Sequence, residues 1–358
     1  MTALNRSSRS NTGYLPTLDG WRTIAILSVM LCHDSLHRLG PLSTSWLYEH
    51  GHLGVDIFFA ISGILICSRL LTEEESAGQI SLRSFYIRRA FRILPPAILF
   101  LATLLVLKAT VHLPVELPEV FASLFFVRNY TSAFTHFQTT YPAYTSHFWS
   151  LAVEEHFYLI LPSLLVFTSR KYRAPALLTL AAAISLHRIA PNSWLSFHTD
   201  IRLDALLVPA ALAVILHTAS NTRQRLIQTL SSAPLVAIFL LLLITTGLHP
   251  RATGLLIAWF TPLLILATML RPQGWFSHLL ESAPLRYIGR ISYSLYLWQQ
   301  LFLITHFGAG TACLGHLQSF PFNWIATFAC ALLSYYLVEQ PLIRLGHRLA
   351  PTSPPINR

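Results

Sequence analysis

Apolar residues recur along this chain in runs that are each close to the length of a membrane-crossing helix. A helix that crosses the hydrocarbon core of a bilayer needs about 20 predominantly apolar residues. Ten such runs alternate with polar connections, at residues 21–39, 52–71, 93–111, 147–168, 174–190, 201–217, 234–248, 253–270, 291–307 and 320–339. The pattern predicts an all-α, polytopic membrane helix bundle with about ten transmembrane helices, and a short interfacial or re-entrant helix at 118–127.

Basic residues are distributed unevenly among the connections between these runs. Ten spans place both termini on one side, and most of the 25 Lys and Arg fall in connections on that side. Cytoplasmic loops carry an excess of Lys and Arg, so we expect both termini to be cytoplasmic. Residues 1–17 and 346–358 are then cytoplasmic tails, and 18–345 form the transmembrane domain.

The composition agrees with a membrane protein, because 53% of the residues are hydrophobic and only 11% are charged, against about 25% charged in a soluble domain. The net charge of +10 suggests nucleic acid, but arginines concentrated between apolar runs indicate topology instead. The 16 His and four Cys show no convincing metal-ligand spacing. We therefore expect neither a nucleic-acid partner nor a metal site.

Two ionisable residues, Arg22 and His33, lie eleven positions apart in the first run. At about 100° per residue they share one helix face, about 16 Å apart along the axis. An ionisable side chain inside a membrane helix is costly, and by default it marks a functional site. The pair therefore predicts chemistry along this face.

Polar residues of five runs fall at similar predicted depths, in the outer part of the membrane. They are His33, Asp56, the pair Glu154 and Glu155, the group Asp200, Arg202 and Asp204, and Tyr293, Tyr296, Gln299 and Gln300. Buried charges need partners, so we expect one polar cavity that contains His33. Its imidazole suits a general base, and Glu154 or Asp56 is predicted to orient it. Asp34 is about 100° away around the helix and is expected to face elsewhere.

A cluster of arginines ends the main inner loop. Arg88 and Arg92 are one turn apart and share a face, and Arg89 lies beside them. The planar guanidinium suits phosphate, so a phosphate-bearing donor would dock here and extend along the face shared by Arg22 and His33. Alternatively, the arginines are a topology anchor, and the two glutamates belong to a proton path or a structural ion pair.

Seven motifs in order resemble those of the membrane-bound acyltransferase family 3, the family of bacterial O-antigen and exopolysaccharide O-acetyltransferases. They occupy residues 18–22 with His33, then 54–63, 85–95, 148–158, 200–205, 289–298 and 338–341, so the resemblance covers nearly the whole chain. Two positions depart from the family pattern: Gln299 stands where many relatives have His, and His156 replaces the usual Gln after the glutamate pair.

The resemblance implies a multi-pass enzyme of the bacterial cytoplasmic membrane. Acetyl-CoA, or another short acyl-CoA, is the expected donor, and a hydroxyl of a glycan or lipid-linked sugar is the expected acceptor. Proteins that assemble the glycan are possible partners for that activity. Acylation of a small metabolite such as a macrolide, a proton-coupled secondary transporter and a non-catalytic lipid-linked-sugar binder are the alternatives, although the chain shows no inverted repeat.

The implied mechanism assigns a role to each candidate residue. His33 deprotonates the acceptor hydroxyl or briefly carries the acetyl group, with Glu154 or Asp56 as its partner. Arg202 or a tyrosine hydroxyl would stabilise the oxyanion. The predicted donor-binding residues are Arg22, Arg88, Arg89 and Arg92, and the predicted substrate-binding residues are Arg202, Asp204, Tyr293, Tyr296 and Gln299.

Overall fold

The computed structural model describes residues 15–34, 53–131, 144–189, 197–218, 250–270, 274–303 and 313–351. Within these ranges the chain forms helices and turns, with no β-strand. The predicted all-helical class is therefore confirmed. The predicted run at 234–248 and most of each predicted tail lie outside the described residues.

The helices follow one another in a simple order. They are α1 (Pro16–His33), α2 (Leu53–Ala77), α3 (Leu82–Val111), α4 (Leu117–Leu124), α5 (Phe148–Phe167), α6 (Arg170–Ile189), α7 (Thr199–Arg202), α8 (Asp204–Thr218), α9 (Pro250–Leu270), α10 (Trp275–Leu280), α11 (Ala283–Arg290), α12 (Ser292–Leu303), α13 (Phe322–Ser334) and α14 (Gln340–Leu349). A π-helical segment, Tyr335–Glu339, joins α13 to α14.

Four of the described helices are long and apolar enough to cross a membrane. These are α2, α3, α5 and the continuous helix Phe322–Leu349, whereas α8 and Gly254–Leu270 are apolar but shorter. Length and composition thus suggest a membrane protein. The count of ten spans and the cytoplasmic position of the termini stay predictions.

Helix α3 continues through two prolines near the candidate site. Ser81 caps its first turn by accepting a hydrogen bond from the backbone N–H of Ser84 at 3.3 Å. Pro95 and Pro96 lie inside it, and each removes a backbone donor, which frees carbonyl groups one turn earlier. Close to these prolines, the Tyr293 hydroxyl donates to the Ile93 carbonyl at 2.8 Å. The interaction ties α12 to α3.

Helix α2 packs against α1, α8 and α9, and two glycines allow close approach. A Cβ atom at Gly54 would lie 2.3 Å from the Ala25 carbonyl oxygen on α1, and one at Gly63 would lie 2.5 Å from the Leu206 carbonyl oxygen on α8. Neither distance is sterically possible, so glycine is required at both positions. Small residues let helix backbones approach in this way.

Polar contacts fix the ends of two elements. Asp34 is buried and accepts hydrogen bonds from the Asn323 side chain at 3.1 Å and from the Trp324 indole, so it faces α13, away from His33's predicted cavity, as expected. The predicted short helix is confirmed as α4. There Glu119 pairs with Arg128 at 3.1 Å, and burial raises the pKa of Glu119 although Arg128 opposes the shift.

Candidate active site

A single cavity of about 90 Å³ lies between α1, α2, α3, α5 and α12. Side chains from all five helices converge on it, which only the folded bundle makes possible. Its polar lining comprises Arg22, Ser62, Arg89, Arg92, Ser150, Glu154, Glu155, Tyr158, Ser292, Tyr293 and Tyr296. Three predicted donor-binding arginines therefore share a cavity with four residues predicted from the outer depth, namely Glu154, Glu155, Tyr293 and Tyr296.

The arginines of this cavity differ in what they contact. Arg22 pairs with Asp19 at 2.6 Å, and the Arg89 guanidinium lies 4.7 Å from the centre of the Tyr158 ring. Arg92 makes no hydrogen bond or ion pair with any described residue, although it interacts electrostatically with Arg22 and Glu339. A cavity cation that no carboxylate of the described residues approaches within hydrogen-bonding distance is suited to an anionic ligand.

Arg88 lies outside the cavity lining. Its guanidinium donates to Glu73 Oε2 at 3.1 Å and to the Ala350 carbonyl oxygen at 3.1 Å. These contacts connect the inner loop to the end of α14. The sequence groups Arg88 with Arg92 on one helix face, but Glu73, near the end of α2, supplies Arg88 with a structural partner.

The two neighbouring glutamates have different surroundings. Glu154 accepts hydrogen bonds from the hydroxyls of Ser62 and Tyr158. Glu155 lines the same cavity and makes no hydrogen bond or ion pair among the described residues. Sequence reasoning placed the pair together but gave no role to Glu155, and it did not single out Ser62 or Tyr158.

His33 contacts an amide rather than a carboxylate. Its Nδ1 lies 3.0 Å from Gln299 Oε1. Gln299 Nε2 donates to Gln300 Oε1 at 3.2 Å, and Gln300 Nε2 donates to Ser146 Oγ at 2.6 Å. This orientation of the amides turns the Gln299 oxygen toward His33, and a proton on Nδ1 would then be donated to that oxygen and leave the basic lone pair on Nε2.

Helix α12 links the cavity to His33. Tyr293 and Tyr296 line the cavity, and Gln299 follows Tyr296 after about one helical turn. The Tyr296 hydroxyl lies 2.6 Å from Ser150 Oγ and donates to the His147 carbonyl at 3.1 Å. His33 itself is not among the lining residues, so the structure places it beside the cavity rather than within it.

Three other predicted site residues lie in buried ion pairs. Arg202 Nη2 donates to Asp56 Oδ1 at 2.9 Å, and its guanidinium lies 5.5 Å from the centre of the Trp149 ring. Asp204 accepts from Ser185 at 3.0 Å and from Arg188 at 3.4 Å. Neither Asp56 nor Glu154 contacts His33, which departs from the expectation that one of them orients the imidazole. The depth argument found the residues but not their pairing.

His156, one of the two departures from the family pattern, has a structural role. Its Nδ1 lies 2.6 Å from Thr199 Oγ1, which also accepts a hydrogen bond from the Asn129 side chain at 2.9 Å. The ring of Tyr130 is 6.0 Å from the imidazole. His156 therefore connects α5 to the start of α7.

No group of three or more His, Cys, Asp or Glu side chains that could hold a metal ion occurs in the part of the chain that the structure describes.

The described helices bring basic, acidic and tyrosine side chains together around one cavity. The family model described as an acyltransferase domain matches residues 15–343, which include every candidate site residue. The chain belongs to this acyltransferase family, acyltransferase family 3, as its motifs predicted.

Relatives from Staphylococcus aureus carry related names. "Putative O-acetyltransferase SACOL0978" of strain COL is 31% identical over 364 residues, covering 93% of this chain and 58% of the relative. O-acetyltransferase OatA of strain NCTC 8325 / PS 47 is 30% identical over 363 residues, covering 94% and 58%. The chain thus spans less than two thirds of these relatives' length. No solved structure is significantly similar to it.

Proposed function

We propose that this chain is a membrane O-acyltransferase. It moves an acyl group, in the first instance acetyl, from cytoplasmic acyl-CoA to a hydroxyl of a glycan or glycolipid. The observation that carries the proposal is one cavity in which Arg89 and Arg92 face Glu154 and Tyr296, about one helical turn from His33 and Gln299. The relatives' names support acetyl as the acyl group.

The donor enters at the arginine end of the cavity. Arg92 and Arg89 bind its phosphates, since neither has a carboxylate partner within hydrogen-bonding distance and guanidinium groups suit phosphate geometry. Arg22 is held by Asp19 at 2.6 Å and lines the path toward His33. The cavity of about 90 Å³ is narrow, which suits an extended thioester arm rather than a nucleotide.

His33 acts as the general base on the acceptor. Gln299 holds Nδ1, so Nε2 accepts the proton of the acceptor hydroxyl as its oxygen attacks the acyl carbonyl carbon. The carbon–sulfur bond then breaks, and the imidazolium returns the proton to the departing thiolate. Tyr296 is the nearest tyrosine of α12 to this point, and its hydroxyl would turn from the His147 carbonyl to donate to the acyl carbonyl oxygen as negative charge develops there.

Transfer of label from radioactive acetyl-CoA to a lipid-linked glycan fraction tests the proposal. Purified protein is compared with His33→Ala and with a matched control, His187→Ala, whose side chain is 55% exposed on α6. We expect His33→Ala to lose at least about 100-fold in turnover, as general-base catalysis contributes roughly 10²–10⁴, and His187→Ala to keep it. Near-normal transfer by folded His33→Ala would exclude the role given to His33.

The same preparation distinguishes an enzyme from a transporter. In sealed vesicles, an acyltransferase releases free CoA thiol in proportion to the label transferred. Solute flux without CoA consumption would instead support a proton-coupled transporter. Parallel assays with a polysaccharide, a glycolipid and a macrolide as acceptors separate the acceptor classes.

A further inference from the structure

Arg69 extends the face of α2 that lines the cavity. The lining residues of this helix include Ser62, Leu65 and Ile66. Arg69 follows Leu65 by four positions and Ile66 by three, which places it on the same helix face one turn further along. Its side chain is exposed, so it lies at the mouth of the cavity where the lining meets solvent.

Arg69 has no acidic partner among the residues that the structure describes. It makes no hydrogen bond or ion pair with any described residue, and it interacts electrostatically with Arg22, Arg88, Arg89 and Arg92. Carboxylates are close by in sequence, but Glu73 pairs with Arg88, and Glu74 pairs with Arg173 at 2.5 Å. The mouth therefore concentrates positive charge that the fold does not neutralise.

Arg69 and Arg22 lie at different depths. Gly54 on α2 contacts Ala25 on α1. Arg69 is fifteen residues, or about 22 Å, along α2 from that contact, whereas Arg22 is only about 5 Å along α1. Both helices lead from the contact in the same direction, because Ile61 and Ile64 of α2 pack in one cluster with Leu18 and Trp21 of α1. The two side chains therefore approach the cavity from backbone positions about 17 Å apart in depth, a spacing that suits a ligand with more than one phosphate group.

We propose that Arg69 binds the ribose 3′-phosphate of the CoA donor. The inference rests on the proposed function, which places the thioester near His33 and the diphosphate near Arg89 and Arg92. The remaining phosphate of CoA then falls nearest the solvent, at Arg69. The 3′-phosphate is a monoester with a charge of about −1.5 to −2 at neutral pH. Solvent weakens an ion pair at an exposed arginine, so this higher charge helps the phosphate to bind there.

Acetyl-CoA and acetyl-3′-dephospho-CoA differ only in this phosphate, so comparing them isolates the contact. We expect the wild type to have a KM for acetyl-CoA about tenfold lower than for the dephospho donor. Arg69→Gln should lose this difference by raising the KM for acetyl-CoA alone, and Arg69→Lys should keep part of it. Arg170→Gln is the matched control, since Arg170 is 68% exposed and contacts Glu74; it should keep the wild-type difference.

Binding of CoA and 3′-dephospho-CoA, measured by isothermal titration calorimetry, gives a second readout that needs no acceptor. Loss of the affinity difference in Arg69→Gln supports the assignment. An equal weakening of both ligands, or no change in either, would overturn it. A wild type that binds both forms of CoA but transfers no acetyl group would contradict the proposed function, while the binding comparison still decides the role of Arg69.

Discussion

Replacing Asp56 by Ala should destabilise the fold strongly. Its side chain is 1% exposed and that of Arg202 is 11% exposed, and their atoms are 2.9 Å apart. Truncation leaves a buried guanidinium whose Nε already lacks a hydrogen-bond partner and whose main remaining contact is the Trp149 ring. Breaking a buried ion pair by removing one partner costs about 3–5 kcal/mol, so we expect a loss of that size in the free energy of unfolding.

Two further variants test the cause of this loss. Asp56→Asn keeps an acceptor for Arg202 but removes the charge, so it should cost less, about 1–3 kcal/mol. The double variant Asp56→Ala with Arg202→Ala should recover part of the loss, because no unpaired charge remains. Asp200→Ala is the matched control, since this carboxylate is 55% exposed and should show little change.

Reversible unfolding in mixed detergent micelles, followed by tryptophan fluorescence, measures these differences. Turnover of acetyl-CoA is recorded on the same samples. If Asp56→Ala were as stable as the wild type and yet inactive, Asp56 would act directly in the chemistry. That result would refute the structural role and restore the sequence-based prediction that Asp56 orients His33.

Three other variants test the site and the packing. Gln299→Ala should lower kcat about 10- to 100-fold without changing the KM for acetyl-CoA, because a misplaced imidazole slows the chemical step; steady-state kinetics in which only KM changed would contradict this. Arg92→Gln should raise the KM for acetyl-CoA at least about tenfold through one lost charge-assisted contact, whereas Arg88→Gln, whose side chain is bound elsewhere, should not; equal effects in both would count against the assignment. Gly63→Ala should lower the unfolding free energy by about 1–3 kcal/mol, measured as above, and a neutral effect would show that α2 and α8 separate easily.

Much of the site could be predicted because helical periodicity is a local property. Eleven residues return Arg22 and His33 to one face of a helix, and both lie in α1. Glu154, Tyr293 and Tyr296, which the predicted depths grouped together, do line one cavity, but His33, which was predicted to share it, lies beside it. Depth and periodicity fix a side chain's height and its position around its own helix.

The partners of these side chains could not be predicted in the same way. Which groups touch depends on how each helix is rotated relative to its neighbours, and the sequence does not state that rotation. His33 therefore contacts Gln299 although two carboxylates lie at a similar predicted depth. Likewise Asp204 is bound by Arg188, which the topology assigns to an outer connection. Arg69 was missed because it belongs to no motif and its position at the cavity mouth depends on how α2 packs.

The amides that follow His33 have a consequence for the energetics of turnover. Carboxamides neither gain nor lose protons near neutral pH, so Gln299 and Gln300 can hold the imidazole but cannot conduct a proton away from Nδ1. Under the proposed function, the proton taken from the acceptor stays on His33 until it leaves with the thiol. No proton then moves through the bundle from His33 Nδ1 during the catalytic cycle. A membrane voltage imposed across sealed vesicles should therefore leave the rate unchanged.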